Sequence, residues 1–195
     1  MILVHNISKS YKKNLLFKDL SFQINSGQKV CFTAQSGKGK STLLNILMGL
    51  ESFENGGIQF KNTKINSSNI KLLRVKIAWL PQELAINIET GEELIMLMDI
   101  DKTKFENYLE KLHISKELLK QKFQSLSGGQ KQRMLLASCL SLEKEILILD
   151  EPTSALGNKS ISILIKTVLE KENLTVISAS HNQEWINACT KIIEL

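Results

Sequence analysis

One segment, Ala34-Gln35-Ser36-Gly37-Lys38-Gly39-Lys40-Ser41-Thr42, constrains this chain more than any other. A buried-strand pattern over Lys29–Thr33 leads into it. Leu43, Leu44, Leu47 and Leu50 then recur at helical spacing over Ser41–Leu50. A strand that turns through glycines straight into a helix aims its backbone N–H groups inward at the helix N-terminus, where they form an anion cradle. The spacing is that of a phosphate-binding loop, in which Lys40 reaches the β- and γ-phosphates of a nucleotide and Ser41 ligates Mg²⁺. Ser36, Gly37, Lys38, Gly39, Lys40, Ser41 and Thr42 are therefore candidate nucleotide-binding residues; the alternative is an ordinary Gly/Ser turn. Ala34 stands where the usual pattern has its first glycine, which costs something if the backbone there needs a positive φ.

The rest of the chain alternates. Met1–Ile7 and Leu20–Ile24 read as strands, Asn25-Ser26-Gly27-Gln28 as a turn, Gly56-Gly57 as a break before a strand at Ile58–Phe60, and Lys76–Leu80 as a strand ending at Pro81. The composition then turns helical. Thr90–Met98 opens with a cap and Glu92-Glu93, Phe105, Tyr108, Leu109 and Leu112 share a helical face, and Ser115–Gln121 is a third short helix. From Ile146 the pattern is strand (Ile146–Leu149), helix (Lys159–Lys171), strand (Leu174–Ser178), helix (Asn182–Ala188) and strand (Lys191–Leu195). Such alternation predicts an α/β fold with a mainly parallel sheet and helices on both faces. The 195 residues fit one domain, 1–195, with an inserted helical subdomain at about 84–140.

No apolar run approaches the ~18–20 residues needed to span a bilayer, and the N-terminus is too short for a signal peptide's apolar region. The expected location is cytoplasmic. Net charge is +5, with Lys and Arg interleaved with acids, which reads first as a solvated surface and second as affinity for an acidic partner or nucleic acid. Cys31, Cys139 and Cys189 lack any C-x-x-C spacing and read as free or buried thiols.

Two further segments carry chemistry. Ile146-Leu147-Ile148-Leu149-Asp150-Glu151 delivers adjacent carboxylates at a strand's carboxyl end, where open α/β sheets bind ligands. The segment resembles a Walker B strand, which implies that Asp150 holds Mg²⁺, directly or through a water, and that Glu151 acts as general base on water; mere strand-end acids are the alternative. Leu126-Ser127-Gly128-Gly129-Gln130 opens a helix that runs through Lys131, Arg133 and Leu136, with Ser127 as its cap.

A phosphate loop, then this pentapeptide, then the acid-ended strand is an order that resembles the ATP-binding-cassette (ABC) ATPase family across the whole chain. The resemblance implies a P-loop NTPase fold: a RecA-like core with a mainly parallel sheet, an N-terminal antiparallel β patch and the inserted helical subdomain. Gln82 then matches the family's Q-loop, touching Mg²⁺ or the attacking water, and His181 its H-loop, bonding the γ-phosphate. Tyr11 matches the aromatic that stacks on adenine; the alternative is a half-exposed surface aromatic. Catalytic candidates are thus Glu151, His181 and Gln82, and metal ligands Ser41, Gln82 and Asp150.

Ser127, Gly128, Gly129 and Gln130 are implied to meet a nucleotide bound by another subunit, so two ATP molecules are sandwiched between opposite subunits. The implied cofactors are ATP and Mg²⁺. The implied partners are a transmembrane permease subunit, which holds the chain at the inner face of the membrane, and a second ATPase subunit, identical or not; no direct nucleic-acid contact is expected. A soluble non-transport ABC ATPase and a poorly hydrolysing nucleotide-binding module stand as alternatives. Gly157 departs from the family, which places an Asp at the end of this D-loop, and puts coupling between the two sites in doubt. The insert also looks shorter than in many relatives.

Overall fold

The computed structural model describes residues 1–11, 14–83 and 86–195. In chain order, strands β1 (Ile2–Tyr11), β2 (Asn14–Ile24) and β3 (Lys29–Thr33) lead to helix α1 (Lys40–Leu47). Then come β4 (Asn55–Phe60), β5 (Thr63–Ile65), α2 (Lys71–Arg74) and β6 (Ile77–Leu80). Helices α3 (Glu93–Leu97) and α4 (Lys102–Lys111) and the 3-10 turns Lys116–Lys120 and Phe123–Ser125 precede α5 (Gly128–Ser141). The chain closes with β7 (Ile146–Asp150), α6 (Asn158–Leu169), β8 (Thr175–Ala179), α7 (Gln183–Ala188) and β9 (Lys191–Glu194). Leu84, where the helical insert was expected to begin, lies outside the described residues.

The expected parallel sheet is there, in the order β6-β7-β8-β3-β9. Its central strands β7 and β8 are buried at every residue, as parallel strands covered on both faces must be. Their alternation divides the interior in two. Leu147, Leu149, Val176 and Cys31 point to one core, shared with α4, α5 and α6. Ile146, Ile148, Ile177, Val30 and Phe32 point to the other, shared with α1 and the antiparallel sheet. That second sheet has the order β2-β1-β4-β5 and supplies Ile2, Val4, Ile7, Phe22 and Ile58.

Several boundaries differ from the sequence expectation. The first two strands are longer, because β1 and β2 pair antiparallel from Ile2↔Ile24 out to Tyr11↔Asn14. Gly56-Gly57 do not break the chain but lie inside β4. Gly56 has φ 81°, and a Cβ there would meet the His5 carbonyl oxygen at 2.1 Å, so glycine is what lets β4 close on β1. The helix expected over Ser115–Gln121 is 3-10, and α1 stops at Leu47 rather than Leu50 because Gly49 turns with φ 65°. β5 and α2 were not anticipated.

Phe105 on α4 is fully buried in the same core as Leu147 and Leu149 of the sheet. Phe105→Ala should cost about 3–5 kcal/mol of stability. Because one core joins the helical layer to the sheet, urea unfolding followed by circular dichroism and by tryptophan fluorescence should stay a single coincident transition. Two separated transitions would mean that the insert folds on its own.

Candidate functional site

Parallel pairing brings the carboxyl ends of β3, β6, β7 and β8 to one edge, and the loops leaving them form a cavity of about 530 Å³. It is lined by Tyr11, Leu16, Ala34, Ser36, Gly37, Gly39, Lys40, Ser41, Thr42, Gln82, Glu151 and His181. Most of the site residues expected from sequence therefore converge. Lys38 is exposed at the loop's rim, Asp150 lies beneath Ser41 at the end of β7, and Ser127, Gly128, Gly129 and Gln130 do not line the cavity.

The loop itself follows from two glycines. Gly37 has φ 80° and Gly39 φ 94°, and Gly39 stands at the N-cap of α1, where its missing side chain leaves the first N–H groups of the helix open to an anion. Ala34 is not among the described residues with positive φ, so its methyl group carries no backbone strain. The Lys40 ammonium donates to the Ala34 carbonyl at 3.1 Å, folded across the loop it would serve.

The carboxylates are unequal. Asp150 is 8% exposed and its Oδ1 has no hydrogen-bond partner among the described residues. Burial raises its pKa; the Ser41 hydroxyl opposes that, the Glu151 carboxylate adds to it, and Lys40 opposes it. Glu151 is 7% exposed and adopts a left-handed φ of 49°. His181 Nδ1 stands 2.9 Å from Glu151 Oε2, although that oxygen makes no aligned hydrogen bond, and the imidazole is largely exposed to the cavity. Among the described residues no group of three or more His, Cys, Asp or Glu side chains could hold a metal. A hydroxyl and one buried carboxylate with an unpartnered oxygen instead suit Mg²⁺, which takes few protein ligands and completes its shell with phosphates and water.

Tyr11 is half exposed at the mouth of the cavity. Its hydroxyl donates to Glu51 Oε2 at 2.9 Å, and Lys9 Nζ lies 5.0 Å from its ring centroid while bonding Glu51 Oε1 at 2.8 Å. Sequence reasoning missed this bracing by Lys9 and Glu51. It also missed Gln132, which is 2% exposed and donates from Nε2 to the Glu151 carbonyl at 3.2 Å. The available signal was an amide sharing a helix face with Leu135, Leu136 and Cys139.

Away from the cavity, Ser127 caps α5 in a reciprocal box: the Gln130 N–H donates to Ser127 Oγ at 3.3 Å and the Ser127 N–H to Gln130 Oε1 at 2.8 Å. Ser127 and Gly128 are exposed, so this helix N-terminus faces outward. The three cysteines are free, and burial pushes the Cys139 thiol up to about 12.

The ABC transporter family model matches residues 17–154. The energy-coupling factor transporter ATP-binding protein EcfA1 of Fusobacterium nucleatum is 34% identical over all of this chain and 78% of its own length. The methionine import ATP-binding protein MetN of Clostridioides difficile is 33% identical over 95% of this chain and 62% of its own. Among solved structures, a dimeric bacterial ABC transporter cassette covers the whole chain with a TM-score of 0.88 at 25% identity, and 94% of that cassette is matched. A second structure of that cassette, a post-hydrolysis dimer bound to ADP and Pi, superposes with a TM-score of 0.87.

Asp150 tests the electrostatics. With its folded pKa raised, its contribution to stability is present below the ordinary carboxylate range and lost as pH rises through the raised value. In EDTA and without nucleotide, Asp150→Asn should therefore have a higher Tm than the parent at pH 8, with the gap narrowing at pH 5. A lower Tm at pH 8 would contradict this.

Proposed function

This chain belongs to the ABC transporter family, and from that premise we propose how its cavity binds and hydrolyses ATP to power a separate membrane subunit. The convergence of Lys40, Ser41, Gln82, Glu151 and His181 at one sheet edge carries the reading. One cassette spans 1–195, its helical part at about 84–140 carrying the Ser127 cap.

ATP enters with adenine against the Tyr11 ring, an aromatic stack worth about 1 kcal/mol beyond burial. The polyphosphate lies in the cradle of Ser36, Gly37, Lys38, Gly39 and Thr42 at the start of α1. Lys40 exchanges the Ala34 carbonyl for the β- and γ-phosphate oxygens, a stronger charge-assisted contact. Ser41, Asp150 and Gln82 would hold Mg²⁺, which neutralises charge on the phosphates. Glu151 takes a proton from the attacking water as its oxygen bonds to the γ-phosphorus and the bond to the bridging oxygen of ADP breaks. His181, beside the Glu151 carboxylate, orients that carboxylate and the γ-phosphate.

The outward-facing cap of Ser127, Gly128, Gly129 and Gln130 is an anion-seeking helix N-terminus without an anion of its own subunit to serve. A second copy of the chain, or a homologous subunit, presents its ATP there, giving a head-to-tail pair with two nucleotides buried between them. Gly157 does not forbid this. A Cβ built there meets nothing within 4 Å, and Ser154, Ala155 and Leu156 still form the facing turn.

No helix is long and apolar enough to cross a membrane among the described residues. In this reading the driven channel is a separate permease, as relatives named as ATP-binding proteins of transporters suggest, and the chain works at the cytoplasmic face of the membrane through it, without nucleic acid as a partner. The relative named as a methionine import ATP-binding protein favours import.

Lys40→Ala removes a charge-assisted contact worth about 1.5–3 kcal/mol and should weaken ATP binding at least about tenfold by calorimetry. Glu151→Gln should keep ATP affinity and lower Mg²⁺-dependent phosphate release by ~10²–10⁴. Unchanged affinity in the first variant, or unchanged turnover in the second, would take that residue out of the site.

A further inference from the structure

Glu151 is held in an uncommon backbone conformation. A left-handed φ of 49° in a non-glycine residue costs of order 1–3 kcal/mol unless its neighbours impose it. Two contacts from outside the turn hold it, beside the turn's own bond from the Ser154 N–H to the Glu151 carbonyl. On one side the Glu151 N–H donates to the Ala179 carbonyl at 2.9 Å, fixing the residue to the end of β8. On the other its carbonyl accepts Gln132 Nε2 at 3.2 Å. That amide arrives from α5, the helix whose N-terminus is the Ser127 cap.

Gln132 is an expensive choice for this place. It is 2% exposed and its Oε1 finds no partner among the described residues, so half of the amide is desolvated without return. Nor does the Glu151 carbonyl depend on it, because the Ser154 N–H also donates to that oxygen at 3.2 Å. Removing the amide leaves no orphaned group behind. A buried polar side chain that stability does not require is better explained by what it orients.

We propose that Gln132 is a positioning residue for ATP hydrolysis: through the Glu151 carbonyl it fixes the left-handed turn that aims the Glu151 carboxylate into the cavity. The same helix presses on the turn a second time. A Cβ on Gly129 would lie 2.8 Å from the Ala155 carbonyl oxygen, so the capping segment and the turn after Glu151 are in direct contact. Gln132 thus ties the aim of one subunit's base to the helix that grips the other subunit's nucleotide. The inference rests on Glu151 being the base.

The test is a double-mutant cycle on the full chain with Mg²⁺-ATP, comparing Gln132→Met, Glu151→Gln and the pair. Gln132→Met keeps the volume and drops the donor. The expected result is a Tm equal to or above the parent's, an unchanged KM for ATP, and kcat lower by about tenfold. In the Glu151→Gln background, single-turnover phosphate release should fall no further, because the group being aimed is already gone. The same fold loss in both backgrounds, a change in KM alone, or an undiminished kcat would overturn the proposal. If Gln132→Met does not fold, Gln132→Leu is the second variant; failure of both would also overturn it, since the amide would then be structural. Glu151→Gln with parental turnover would instead remove the base itself, an outcome distinct from additivity in the cycle.

Discussion

Four loops of unrelated sequence meet in this protein because β6, β7, β8 and β3 all run the same way. Parallel strands cannot be joined by tight hairpins; each needs a crossover, and each carboxyl end therefore opens a loop on the same edge. Parallel pairing also demands that both faces be covered, and β7 and β8 meet that demand with residues buried at every position. Leu147 and Leu149 anchor the helical side while Ile146 and Ile148 anchor the other. The last residue of β7, Asp150, is a carboxylate buried beneath Ser41 rather than lining the cavity. Asp150 is buried there at a cost, its pKa raised chiefly by burial.

That cost is characteristic of the site as a whole. Glu151 sits at a left-handed φ, Gln132 has a half-satisfied buried amide, and Asp150 an unpartnered oxygen. Each is a local departure from what stability alone would select, and all three border one cavity or the turn beside it. In the proposed function the molecule also carries two half-sites that it does not bring together: the loop with Lys40 on one edge, and the exposed Ser127 cap on another. A ligand that binds both makes its own binding energy into association energy, which is how ATP can drive a dimer and hydrolysis can release it.

Much of this was legible in the sequence, and for physical reasons. Buried parallel strands leave continuous apolar runs, so β3, β7 and β8 announced themselves; the glycines of Gly37 and Gly39 announced the loop. The helix cap at Ser127 was visible in the sequence; its reciprocal bonding with Gln130 was not read there. What failed was short or tertiary. β5 has three residues and α2 four, too few for a period to register. Gly56-Gly57 looked like a break, because nothing local reveals that the His5 carbonyl passes where a side chain would be. The Ala34 methyl group looked costly until the backbone there proved free of positive φ. Gln132 was silent because an amide on a helix face carries no sign of which carbonyl it will meet.

The central claim is that one subunit's Lys40 cradle and another's Ser127 cap close on the same nucleotide. Light scattering on the Glu151→Gln variant, with and without ATP, tests it most directly, because blocked hydrolysis should trap the closed pair. The account predicts a monomer without nucleotide, a dimer with ATP, and a monomer again when Ser127→Arg fills the cap while ATP still binds. A variant that binds ATP tightly yet stays monomeric at high concentration, or a dimer that survives Ser127→Arg, would contradict it.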